Sequence, residues 1–240
     1  TLTISQTDLK LEGNSTLTSD EALSFVTLNL NNFKLTLGSS TSDLTVINAI
    51  TIDASTEGIL TGGADLLLSA LTLSAGDVTS TGGAISFQGG GQLSGTGKLD
   101  VSGSTWVLGG DFVKSSGTLT TTETTNLALS ASSTLTSDVS LNFENLNLND
   151  FTLTLGSLTS DLTVENAITI DSSGEGILTG EADLILLSSF NMSQGLLGST
   201  GGTWVLSKDF LKSGGTLTIS QTDLKLEGNS TLTSDEALSF

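Results

Sequence analysis

The sequence predicts an all-β chain wound as a parallel β-helix, a β-solenoid with about 20 residues per coil and about 11 coils in each 215-residue unit. Three observations predict it. Apolar and polar residues alternate in runs of only three to five. A 25-residue segment occurs twice without a change. Two diverged half-repeats differ in length by about one coil.

The alternation is clear at Leu28-Asn29-Leu30, Phe33-Lys34-Leu35-Thr36-Leu37, Leu44-Thr45-Val46 and Ile50-Thr51-Ile52. It returns at Leu99-Asp100-Val101, Leu146-Asn147-Leu148 and Phe151-Thr152-Leu153-Thr154-Leu155. Neighbouring residues on a strand face opposite ways, so such a run buries one face and wets the other. The runs end at Gly38, Gly58, Gly103, Gly156 or Gly176, or at Ser-Asp steps. A helical period is hard to find, and helix formers are sparse.

Residues 1–25 recur at 216–240, an offset of 215. A drifted copy lies between them. Asp43 to Asp53 (DLTVINAITID) returns at Asp161 to Asp171 with Glu165 in place of Ile47, an offset of 118. The segment around Trp106 returns around Trp204 at an offset of 98. The 20 residues lost come from the Ser-Gly-rich stretch between about Leu71 and Ser104. Loss of one coil leaves every other register of a solenoid intact, whereas a sandwich or barrel would lose paired strands. The expected organisation is a first half-repeat over 1–117, a second over 118–215, one coil shorter, and the start of the next copy over 216–240, in one solenoid without linkers.

One column of the core is expected through Leu9, Leu28, Ile50, Leu71, Leu93, Phe112, Leu127, Leu146, Ile168, Phe190, Phe210 and Leu224, mostly 19 to 22 residues apart. Each step would rise by the inter-strand spacing of about 4.8 Å. Outward Thr, Ser and Asn would be solvated.

The repeated Gly-Thr-Leu-Thr starts at Gly117 and Gly215, with the Leu-Thr and Leu-Asn strands, resemble those of bacterial β-strand-repeat surface proteins. These include filamentous-haemagglutinin-like adhesins and autotransporter passengers. The likeness covers the whole chain as a style of sequence rather than as one motif, and the lack of Pro and Arg departs from it. It implies a secreted or surface-anchored protein that adheres or forms fibres.

Composition narrows the chemistry. There is no Cys, His, Pro, Tyr or Arg, and all seven cations are Lys. Thiolate metal sites, disulfides and the usual nucleophile-base triads cannot be built. A net charge of −19 opposes binding to nucleic acid and to anionic lipid. No apolar run reaches the ~18 residues of a transmembrane helix. The chain starts at Thr1 and its only Met is Met192, so any targeting signal is expected outside it.

The candidate site residues are Asp20, Asp43 and Asp65, spaced by 23 and 22 residues, and Asp138, Asp161 and Asp183 at the same intervals. One coil apart, they would stack up a corner and could share a weakly held calcium ion. The alternative is that they are staggered, solvated residues whose oxygens cap local amides. Asp20-Glu21 is a poor catalytic pair, because neighbours on a strand diverge. Gly95-Thr96-Gly97-Lys98 lacks the first Gly and the Ser or Thr of a phosphate loop and reads as a corner. Thr-Leu-Thr at Thr1, Thr16, Thr118, Thr134, Thr152, Thr216 and Thr231 suggests an ice-binding array, but its absence between Thr18 and Thr118 interrupts it. Trp106, Trp204, Phe112 and Phe210 read as core, with an exposed glycan platform as the alternative. Asn14, Asn191 and Asn229 begin weak glycosylation sequons.

The expected function is thus the structural repeat region of an extracellular fibre or stalk, not an enzyme, with further copies of itself as partner. The alternatives are a spacer or binding region of a large adhesin with cell-surface or glycan ligands, an ice-binding β-helix, and a glycan-binding or glycan-cleaving one. No cofactor other than calcium is expected.

Overall fold

A computed structural model describes residues 7–52, 59–156, 160–170 and 176–235, and every regular element among them is a β-strand. Contacts divide the chain into two compact units, residues 1–121 and 122–240.

The first unit holds β1 (Asp8–Lys10), β2 (Ser15–Leu17), β3 (Leu23–Asn31), β4 (Lys34–Leu37), β5 (Leu44–Ile52), β6 (Ile59–Gly62), β7 (Leu66–Leu68) and β8 (Leu71–Leu73). It continues with β9 (Asp77–Ser80), β10 (Ile85–Phe87), β11 (Gly91–Leu93), β12 (Lys98–Asp100), β13 (Thr105–Leu108), β14 (Phe112–Lys114) and β15 (Thr118–Thr120). Pairing runs between successive coils, and every pair is parallel. One face is β1-β3-β5-β7-β10-β13. A second is β2-β4-β6-β9-β12-β15. A third is β8-β11-β14. A chain that leaves a strand, turns two corners and returns one strand-spacing further on is a β-solenoid.

The core consists of ladders of like residues. Leu23, Leu44, Leu66, Ile85 and Trp106 are aligned, as are Phe25, Val46, Leu68, Phe87 and Leu108. All ten are buried. Alternation makes this possible. In β7 the outer leucines are buried and Leu67 between them is only half-buried. Buried side chains of successive coils thus stack on one another along each ladder.

The second unit repeats the plan with β16 (Asn126–Leu129), β17 (Ser133–Thr136), β18 (Leu141–Asn149), β19 (Thr152–Leu155), β20 (Leu162–Ile170), β21 (Ile177–Gly180) and β22 (Leu184–Leu186). Then come β23 (Phe190–Met192), β24 (Leu196–Ser199), β25 (Thr203–Leu206), β26 (Phe210–Lys212), β27 (Thr216–Ile219), β28 (Asp223–Leu226) and β29 (Leu232–Ser234). Its faces are β16-β18-β20-β22-β25-β28, β17-β19-β21-β24-β27 and β23-β26-β29, all parallel. Where the first unit steps from Leu66 to Ile85 to Trp106, the second steps from Leu184 directly to Trp204. The strands β10, β11 and β12 therefore have no counterpart there.

The single core column expected from spacing holds only in part. Leu9, Leu28 and Ile50 are aligned, as are Leu127, Leu146 and Ile168, and Phe190 with Phe210. Leu71, however, pairs with Gly91, and Leu93 pairs with Leu73 and Lys114. Leu224 stands on Trp204, while Leu232 stands on Phe210. The strands of one coil share the same period-2 pattern, so spacing alone does not say which face a given leucine lies on. The nine-residue strands add to this, with register shifts after Phe25 and Asn29 in β3 and after Phe143 and Asn147 in β18. The second shift brings Asn31 and Asn149 to left-handed φ angles of 47° and 49°, a conformation that Asn tolerates better than most residues.

Candidate functional site

The six aspartates do not form one stack. Asp43 precedes Leu44 and Asp65 precedes Leu66, so those two lie in adjacent coils, as Asp161 and Asp183 do in the second unit. Asp20 and Asp138 are two residues ahead of this column, whose positions there are taken by Ala22 and Ser140. The next positions are Ala84 in the first unit and Thr203 in the second. Each half-repeat thus brings two carboxylates together rather than three.

Those carboxylates are already occupied with the backbone. Asp43 Oδ1 accepts from the Asp65 amide at 3.1 Å, and Asp65 Oδ1 accepts from the Ala84 amide at 2.7 Å. In the second unit Asp161 Oδ1 accepts from the Asp183 amide at 3.2 Å and Asp183 Oδ1 from the Thr203 amide at 2.6 Å. The carbonyls of the same residues accept from the preceding coil, Leu44 N to Asp65 O at 2.8 Å and Leu162 N to Asp183 O at 2.9 Å. Each Asp therefore links to the coil before it by its carbonyl and to the coil after it by its side chain. The corner amides would otherwise be orphaned where the ladder ends. Among the described residues no group of three or more Asp or Glu could hold a metal ion. A calcium ion at Asp43 with Asp65, or at Asp161 with Asp183, would meet carboxylates that each already spend Oδ1 on an amide of the next coil.

The same device appears at a corner that the spacing argument overlooked. Asp209 O accepts from Phe190 N at 2.9 Å, and Asp209 Oδ1 accepts from Thr231 N at 2.9 Å. Asn14 Oδ1 caps the Lys34 amide at 2.8 Å, which gives this sequon residue a structural use. Asn31 Nδ2 and Asn149 Nδ2 each donate to a carbonyl of the coil before, Leu11 O and Leu129 O, at 2.5 Å. These asparagines are not simply solvated, as outward positions were expected to be.

Among the described residues two lysines lie in the core. Lys114 and Lys212 are 4% and 1% exposed. Lys212 Nζ lies 2.6 Å from Asp235 Oδ1, and this ammonium holds the carboxyl below the usual range, chiefly by the hydrogen bond, with burial opposing it more than the ammonium's charge assists. The alternation Phe112-Val113-Lys114 and Phe210-Leu211-Lys212 already points each lysine inward, a signal that residue type alone obscures.

The other candidates are resolved by burial. Trp106 and Phe112 are fully buried, and Trp204 and Phe210 nearly so, which overturns the glycan platform at these rings. Phe87, Trp106 and Phe112 pack together, with Trp106 edge-on to Phe112 at 4.8 Å between centroids. Gly95-Thr96-Gly97 lies in the corner between β11 and β12, with Gly95 at φ 60° and Lys98 the first residue of β12. Thr16, Thr36, Thr61 and Thr79 form an outward column on β2, β4, β6 and β9, of which only Thr16 comes from a Thr-Leu-Thr string. It is interrupted at Asp100, and the neighbouring column carries Lys34, Asp77 and Lys98. The Thr-Leu-Thr at Thr1 lies outside the described residues.

Comparison with family models, with curated proteins and with solved structures finds no match to this chain. No helix among the described residues is long and apolar enough to cross a membrane.

Proposed function

We propose that this chain is the structural repeat region of an extracellular fibre or stalk, which assembles with further copies of itself and does its work by length and stiffness. The observation that carries the reading is the side-chain and backbone traffic between coils. Ladders of buried Leu, Phe and Val, parallel amide bonds and Asp caps all run from one coil to the next. Such a scheme is satisfied by adding coils and has no built-in stopping point. The acidic, hydroxyl-rich exterior limits sideways association, since like charge repels. The secreted location follows from the resemblance to bacterial surface proteins, and no catalytic role is assigned.

Electron microscopy of the purified chain tests the reading. Elongated filaments, with an axial diffraction spacing near ~4.8 Å, are the expected result. Compact monodisperse particles at every concentration would remove the self-assembling fibre, and glycan binding by those particles would favour the adhesin.

A further inference from the structure

On the third face of the second unit, β23, β26 and β29 stack in parallel, with Asn191 aligned to Leu211 and Leu211 to Thr233. Alternation turns all three outward. Phe190 and Met192 flank Asn191 from the core side, and Phe210 and Lys212 flank Leu211. Leu211 is 41% exposed. With Asp209 and Thr231 at the neighbouring corner, this column lines an open hollow of about 410 Å³. A second hollow of about 180 Å³ shares Asn191 with the first and reaches Thr169, near the far end of β20. Together they form a groove that crosses the coils from β20 to β29, about 14 Å for three steps of ~4.8 Å.

We propose that this groove binds a neutral oligosaccharide lying along the stack of coils. The backbone has little to offer a ligand here. Phe190 N donates to Asp209 O at 2.9 Å, Phe210 N to Thr231 O at 2.8 Å and Ser213 N to Met192 O at 2.9 Å, so these amides are engaged between coils. A peptide recognised by strand addition needs an open sheet edge, whereas the groove lies on a sheet face. Recognition therefore falls to side chains.

Those side chains are the hydroxyls of Thr169, Thr231 and Thr233, the amide of Asn191 and the methyl groups of Leu211. Hydroxyls and an amide can both donate and accept hydrogen bonds. A pyranose has the matching chemistry, with hydroxyls around its rim and C–H groups on its faces. An apolar floor with a few placed polar groups is the usual make-up of a small-molecule site.

Charge selects within the class. Among the described residues Asp209 is the only charged one lining either hollow, and its Oδ1 already accepts from the Thr231 amide at 2.9 Å. A net charge of −19 repels an anionic polysaccharide. A polycation would meet one carboxylate where it needs several. The groove lies within the second unit, so binding does not depend on assembly into a fibre.

Calorimetric titration of the full chain tests the site, with cellotetraose, maltotetraose and tetra-N-acetylchitotetraose as neutral probes and tetragalacturonate as the anionic one. At least one neutral sugar is expected to bind with a Kd of about 1 mM or tighter, and tetragalacturonate not to bind. Asn191→Ala and Leu211→Ala should each weaken the binding about tenfold, while Thr36→Ala, on the second face of the first unit, should leave it unchanged. Both groove substitutions remove outward atoms, so melting temperatures should stay within about 2–4 °C. No binding of any neutral sugar, binding that survives both substitutions, or tighter binding of tetragalacturonate would overturn the site. A change of filament width in Leu211→Ala with no effect on sugar would also overturn it and make the face a contact between copies. Filaments without sugar binding remove the groove alone, and sugar binding by particles that form no filaments removes the fibre alone.

Discussion

Lys212 Nζ and Asp235 Oδ1 are 2.6 Å apart, with the lysine side chain 1% exposed and the aspartate 42%. A core position of one coil is thereby tied to the rim of the next. Removing the carboxylate leaves a buried ammonium short of its anion, whereas replacing the lysine by an apolar chain of similar volume removes the need for one. Asp235→Asn is therefore expected to lower the melting temperature, and Lys212→Met to hold it within about 2–4 °C. Thermal melts of both variants check the asymmetry.

The same pair predicts a response to acid. Lys212 lowers the Asp235 pKa from its ordinary 3.8, chiefly by its hydrogen bond, which outweighs the raising effect of burial. A carboxyl whose folded pKa is depressed contributes stability that is present above its unfolded pKa and lost as pH falls through the folded value. Stability of the unaltered chain should fall as the pH drops below about 4, and Asp235→Asn should lack that part of the decline. Parallel curves for the two proteins in urea titrations across this range would sink the assignment.

At Gly90 the backbone has φ 87°, and an added Cβ would lie 2.1 Å from Asp111 O. Gly90→Ala should cost about 1–3 kcal/mol for the left-handed backbone alone, with the clash in addition. Gly63 meets only Thr81 Oγ1 at 3.6 Å, so Gly63→Ala should be neutral or stabilising by up to about 1 kcal/mol. Urea unfolding midpoints compare the two.

Asp65 Oδ1 caps the Ala84 amide at 2.7 Å. An Asn oxygen can accept in the same place, so Asp65→Asn should change little, while Asp65→Ala should cost about 1 kcal/mol. Because the caps already draw on these oxygens, adding calcium should leave the melting temperature where it is. A calcium-dependent rise that disappears in Asp65→Asn would instead restore the metal site.

Phe87 stacks 5.9 Å from Phe112 and meets Trp106 edge-on at 6.3 Å. Phe87→Ala opens a cavity in the aromatic cluster of the first unit and should cost about 3–5 kcal/mol, read from denaturant unfolding.

Much of the fold was legible because it is written locally. Leu44-Thr45-Val46 announces a half-buried strand, and the 20-residue difference between the half-repeats announces the length of a coil. Which face a strand joins was not legible, since Leu224 and Leu232 carry the same alternation and only the corners decide that one meets Trp204 and the other Phe210. The site was harder still. Asp43 and Asp65 were identifiable by spacing, but their duty as amide caps depends on the backbone of the neighbouring coil. Asp20 was misplaced by two residues, because a 23-residue interval looks like one coil whether or not the register agrees. Lys212 was overlooked because its charge argued for the outside while its place in the alternation argued for the inside.

The buried lysines have a consequence for digestion. Trypsin cleaves after Lys or Arg; this chain has no Arg and only seven Lys, and the side chains of Lys114 and Lys212 are buried within the wall. A protease of that specificity meets few targets, and six of the seven lie on strands paired into a ladder, Lys208 alone lying between strands. Persistence among such enzymes would then be a property of the winding itself.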